Sequence, residues 1–125
     1  MKKMTVRHIG WILTAAGVLL VGSAVGLSAN DPTSDEIKLG MVNVQSGPAS
    51  GLGRGMRSGA EAVFKQVNAQ GGIHGRKINL LVGDDGYEPG RTVDETLKMI
   101  DGQKVFALFG FVGTPTANAA LPIVK

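Results

Sequence analysis

The sequence predicts an α/β fold: a parallel sheet with helices on both faces. Three observations carry this. Short β-branched apolar runs alternate with stretches whose apolar residues recur three or four apart. The order is strand-helix three times over, with short connections rich in glycine. The composition is also globular, with 43% apolar and 18% charged residues.

The first strand is read over Ile37–Val44, apolar-rich and β-branched, as suits a strand buried on both faces. Gln45 to Gly53 follows as a Gly/Ser/Pro loop. From about Gly53 to Gln70, Met56, Ala60, Val63, Phe64 and Val67 form one helical face, ended by Gly71-Gly72. Ile73 to Arg76 is a turn, and Lys77–Asp85 reads as a second strand ending in two acids. Gly86 to Glu88 is a loop, and Pro89 suits a first helical turn. Val93, Leu97 and Ile100 give this second helix its apolar stripe, and Gly102 stops it. Val105–Phe109 is the third strand and Gly110 to Thr114 the next loop. Thr114 is expected as N-cap of a third helix with Pro115 as its first residue and Ala117, Ala120, Leu121 and Val124 facing the core. Pro122 is expected to kink or shorten it.

Residues 1–29 read as a signal peptide. Lys2, Lys3 and Arg7 make a basic start, Ile9 to Asn30 carries no charge, and small residues cluster at its end, which places the cut near Ser28 or Ala29. An uncleaved membrane anchor is the alternative, since the run is long enough to span. Both readings put the remainder outside the cytoplasm. Residues 30–36 form a polar linker, and 37–125 the folded segment.

Charge follows this division. The leader holds three of the 13 Lys and Arg residues and none of the 10 Asp and Glu, so ten of each sign lie beyond it. The net charge of +3 belongs to the leader, and no nucleic-acid footprint is expected. With no cysteine, disulfide scaffolds, zinc ribbons, thiol nucleophiles and lipidated cysteine anchors are excluded.

No catalytic set, metal site or cofactor is expected. His74 stands in a turn beside glycines. Asp84 and Asp85 are adjacent at a strand end and point to opposite faces, so they do not converge; one of them caps the loop through Gly86 N–H. A nucleotide-binding enzyme domain fits poorly. The strict G-x-G-x-x-G pattern is broken, and Asp84 stands 31 residues after Gly53, against roughly 20 for a ribose-binding acid.

In open α/β sheets, ligands bind beyond the carboxyl ends of the strands at a topological switch point. With strand order 2-1-3, that point lies between the first and third strands. The loops there run over Ser46 to Gly53 and Gly110 to Thr114. Each leads into a helix N-terminus, which favours a carboxylate or phosphate. The loop after the second strand lies further off, so its acids are weaker candidates.

Several stretches carry a family resemblance. Ile37-Lys38-Leu39-Gly40, Ser46-Gly47-Pro48, Gly59-Ala60-Glu61, Val67 to Ile78 (VNAQGGIHGRKI) and Asp84-Asp85 resemble the start of the leucine/isoleucine/valine-binding proteins, type I periplasmic solute-binding proteins of ABC transporters. The resemblance runs from about Ile37 to Val124. It implies a bilobal receptor that closes by hinge bending over a small solute, commonly an aliphatic amino acid, amide or related carboxylate, and delivers it to a membrane permease. It implies no covalent chemistry. Against the family pattern, the backbone and hydroxyl contacts to the ligand fall on Val112, Gly113 and Thr114, and the first-loop contact on Leu52 beside Gly53. Two departures are visible: Leu52 stands where an aromatic is common, and Pro115 removes an N–H. They leave room for a ligand other than a branched-chain amino acid. The resemblance also leads us to expect that this chain is the N-terminal part of a longer protein, holding an incomplete first lobe. The ligand-binding domain of a membrane sensor is the alternative reading of the same fold.

Overall fold

The computed structural model describes residues 35–125. The leader read over 1–29 and all but the end of the linker lie outside the described residues. The elements are β1 (Glu36–Asn43), α1 (Ser50–Ala69), β2 (Lys77–Asp84), α2 (Pro89–Leu97) continued by a π-helical turn (Lys98–Gly102), β3 (Ala107–Phe109) and α3 (Thr114–Val124). The three strands form one parallel sheet, as the sequence predicts, in the order β2-β1-β3 that the reading of the switch point took as its premise. Glu36, assigned to the linker from sequence, pairs with Lys77 as the first residue of β1.

Side-chain alternation along β1 puts helices on both faces. Met41 and Asn43 face α1: Asn43 Nδ2 lies 3.9 Å from Met56 Sδ, and Phe109, paired with Met41, meets Phe64 edge-on at 5.9 Å between ring centres. Gly40 and Val42 face the other way. A Cβ on Gly40 would lie 2.7 Å from Leu108, and one on Gly83, the partner of Val42, would lie 3.3 Å from Met99 beyond α2. Met41, Val42 and Val44 are fully buried and, with Ile78, Met99 and Ala120, make the apolar core.

The resemblance motif around residue 70 has a structural cause. Asn68, in the last turn of α1, accepts from Ile78 N–H at 2.7 Å and donates to Ile78 O at 2.8 Å. Its amide thus occupies one rung of the free edge of β2, which blunts that edge. Gly72 has φ +81°, and a Cβ there would strike Arg76 O at 2.0 Å, so the turn back to β2 needs glycine.

Several helix and strand expectations are corrected. In α1, which starts at Ser50 rather than Gly53, Met56 and Val63 are exposed and Gly53 is buried. In the second helix Leu97 of the expected stripe is exposed and Val93 and Ile100 are only half-buried; Thr92, Thr96 and Met99 are the buried residues. The cause is Asp85, which is wholly buried and takes a hydrogen bond from Thr92 Oγ1 at 3.1 Å. Thr96 Oγ1 is satisfied in turn by Thr92 O at 2.6 Å. Supplying that buried carboxylate with a donor rotates the helix away from its most apolar line. β3 is only three residues long, and Phe106, expected inside it, is 64% exposed. In α3, Thr116 and Ala120 are buried while Leu121 and Val124 are exposed. Pro122 lies within the final turn, and the helix runs past it to Val124.

Candidate functional site

Because the strands are parallel, their three following loops share one edge of the sheet. The order β2-β1-β3 puts the switch point between β1 and β3. Buried Asn43 ends β1 at that point. It donates from Nδ2 to Gly110 O at 2.9 Å and accepts from Gln45 Nε2 through Oδ1. It therefore joins the two loops that the sequence singled out.

Those loops present unlike surfaces. Leu52, in the first turn of α1, is 63% exposed. Gly53 beside it is buried: a Cβ would lie 1.9 Å from Val44 O and 2.8 Å from Asn43 Oδ1. Gly53 thus sets how closely α1 approaches β1, and Leu52 rides on that contact. Early N–H groups of α1 are bonded within the turn, Ser50 N–H to Gly47 O and Leu52 N–H to Ala49 O, both at 3.1 Å. That end of α1 offers few open donors.

The α3 end differs. Gly113, not Thr114, is the N-cap, at φ 102° and ψ 132°, and Thr114 is the first helical residue. The reason is conformational: a positive φ suits glycine, and Thr114 makes no side-chain capping bond. Ala117 is the first residue to bond back, to Gly113 O at 2.9 Å. Thr114 N–H has no intrahelical carbonyl to receive it, and Pro115 has no N–H. Thr114 is also exposed, so its hydroxyl joins this open end. Thr116, which sequence reasoning missed, is fully buried and turns its hydroxyl back to Val112 O (2.7 Å) and Gly113 O (2.8 Å). It holds Val112 and Gly113 in place.

The loop after β2 lies nearer than the sequence suggested. Tyr87 packs over Gly113: a Cβ on that glycine would lie 2.6–2.9 Å from the ring tip and hydroxyl. A turn position between an acid pair and a proline gave no sign of this reach.

Asp84 is the electrostatic anchor of the edge. Oδ1 accepts from the N–H groups of Gln45 (2.8 Å), Ser46 (3.2 Å) and Gly86 (3.0 Å). Burial alone would raise its pKa, but the Ser46 hydroxyl and those three N–H groups outweigh it, lowering the value from 3.8 to about 2. Arg91 adds a bond to Asp84 O at 2.8 Å and an ion pair at 3.6 Å. As the sequence predicts, one acid caps the loop through Gly86. Asp85 serves its own loop by accepting from Tyr87 N–H at 2.8 Å. Among the described residues, no group of three or more His, Cys, Asp or Glu side chains could hold a metal ion.

Comparison with known proteins gives one consistent answer. A family model described as "periplasmic binding protein" matches residues 36–125. The chain is 32% identical over 114 residues to a Leu/Ile/Val-binding protein homolog 7 of Brucella suis, covering 91% of this chain and 26% of the relative. Among solved structures, a possible leucine/isoleucine/valine-binding protein from Rhodopirellula baltica superposes with a TM-score of 0.67 at 41% identity, over 74% of this chain and 26% of that one. The substrate-binding protein of a branched-chain amino acid transporter from Streptococcus pneumoniae, solved with isoleucine, matches with a TM-score of 0.67 at 28% identity, over 70% and 25%. The chain spans about a quarter of the length of these relatives.

Proposed function

Because the chain belongs to the periplasmic binding protein family, we propose that it is the ligand-binding start of an exported receptor serving an ABC importer. In this reading residues 1–29 direct export to the periplasm. The folded segment supplies one side of a cleft between two lobes, and the closed receptor hands its solute to a membrane permease. The solute is an amino acid or a related small carboxylate or amide. The protein binds and releases it without covalent chemistry.

The open N-terminus of α3 at the switch point carries this reading. Thr114 offers an exposed hydroxyl there, next to its own first-turn N–H. These donors converge with the positive end of the helix dipole and suit a carboxylate. Val112 and Gly113 complete that wall, and Leu52 with Gly53 forms the other side beyond Asn43.

Calorimetry on the full-length protein tests the proposal, with leucine, isoleucine, valine, phenylalanine, their amides and benzoate as probes. Saturable one-to-one binding of at least one probe is expected. Binding of none, by protein shown to be folded, would overturn the assignment of solute class.

A further inference from the structure

Tyr87 has a backbone φ of +69°, in the left-handed region that aromatic residues rarely occupy. Glycine or asparagine would take that conformation with less strain. The strained backbone is held from below: Tyr87 N–H donates to Asp85 Oδ1 at 2.8 Å, and Asp85 is fully buried with Thr92 on its other oxygen. Asp85 N–H in turn bonds Asn43 O at 3.1 Å, so the support reaches the central strand. A rigid base of this kind is how strain persists, and such strain gathers at functional sites.

What the support achieves is the placement of the ring. The tip of Tyr87 lies across Gly113, the N-cap of α3, where a Cβ would stand 2.6 Å from Cε2 and 2.9 Å from the hydroxyl oxygen. Residue 113 must lack a side chain for the ring to sit there. Tyr87 nevertheless keeps 38% of its surface open. The ring is therefore half packed and half free, at the helix end that carries the open donors.

We propose that Tyr87 is a specificity-determining residue of this site, its ring forming a wall for the ligand's apolar body and its hydroxyl joining Thr114 on the carboxylate end. The inference rests on the solute-receptor reading. It brings the β2 loop into the site as a third wall, and it favours small carboxylates with a flat or branched apolar body, since ring and Leu52 are both apolar surfaces.

The test uses the full-length protein with leucine, phenylalanine and benzoate. Binding to the unaltered protein is measured first, followed by Tyr87→Phe, Tyr87→Ala and protein carrying 3-fluorotyrosine at position 87. Tyr87→Phe keeps the packing on Gly113 and is expected to weaken the tightest probe by about ten- to a hundredfold, the loss of one hydrogen bond to a charged group. Tyr87→Ala is expected to change the ratio of affinities among the three probes. The fluorine resonance should shift and saturate at the concentration where calorimetry saturates. Unchanged affinity in Tyr87→Phe with no fluorine shift would overturn the proposal and leave the receptor reading intact. So would lowered thermal stability in Tyr87→Ala with the affinity ratios unchanged, which marks a purely structural clasp. If the unaltered protein binds no probe, the receptor reading falls for these carboxylates and the proposal falls with it.

Discussion

The side-chain amide of Asn43 donates to the backbone carbonyl of Gly110 at 2.9 Å, and Asn43 has no exposed surface. One buried polar group thus fixes the end of the central strand against the loop 67 residues later in the chain. Asn43→Ala removes the donor and leaves that carbonyl short of a partner. A loss of about 1–3 kcal/mol is expected, the cost of an unmade buried hydrogen bond. Urea denaturation of the purified protein measures it, and a midpoint equal to that of the unaltered protein would contradict the tie.

Gly53 and Gly55 lie two residues apart in α1 and should respond in opposite directions. A Cβ on Gly53 would lie 1.9 Å from Val44 O, while nothing stands within 4 Å of one on Gly55. Gly53→Ala must therefore push α1 from the sheet, at about 1–3 kcal/mol or more. Gly55→Ala meets no obstacle and should stabilise the helix by about 0.5–1 kcal/mol through the lower backbone entropy of alanine. Thermal melts of the two variants should move to either side of the parent.

Asp84 gives the structure an acid-sensitive anchor. Its pKa lies at about 2 when folded, against 3.8 ordinarily, so the unfolded chain binds the proton more readily. The stabilisation is fully present above pH 3.8 and is lost as the pH falls toward 2. Stability of the parent protein should drop more steeply between pH 4 and pH 2 than that of Asp84→Asn. At neutral pH the variant should be the less stable of the two. Parallel denaturation slopes across that window would show that the bonds to Gln45, Ser46 and Gly86 do not favour the charged form.

Thr114 is the residue on which the proposed carboxylate contact depends most directly. Thr114→Ala should weaken binding of the tightest probe to the full-length protein by about 1–3 kcal/mol, as for loss of a hydrogen bond to a charged group. Because Gly113, and not Thr114, caps α3, the thermal stability of this variant should hardly change. A fall in stability with no change in affinity would assign Thr114 to the fold alone.

The leader is open to a direct check. N-terminal sequencing of the exported protein should begin between Ser28 and Asp31, within the roughly 15–30 residues of a signal peptide. A start at Met1 would favour the anchor reading.

How much of this protein was legible in its sequence depends on the range of the interaction concerned. Strand-helix alternation, the glycine-ended helices and the cap at Gly86 are set by neighbouring residues, whereas the sheet order was a premise taken from common α/β sheets and is fixed by the tertiary structure. The choice of loops at the switch point rested on that premise. The rotation of α2 was not legible, because it answers to Asp85, whose burial is decided by elements on both sides of it. The N-cap moved from Thr114 to Gly113 because the left-handed turn and the ring above it are set by the β2 loop.

The sequence by itself therefore determined the α/β order, the parallel sheet and the extent of its loops, since periodicity and turn chemistry act over a few residues. Tertiary structure alone decided that Asn43 would join the loops after β1 and β3, that Gly53 would be packing surface while Leu52 stayed exposed, and that Tyr87 would lie over Gly113. Each of these needs groups tens of residues apart to meet at fixed distances. Buried polar groups and close backbone approaches impose that demand only after the sheet has formed.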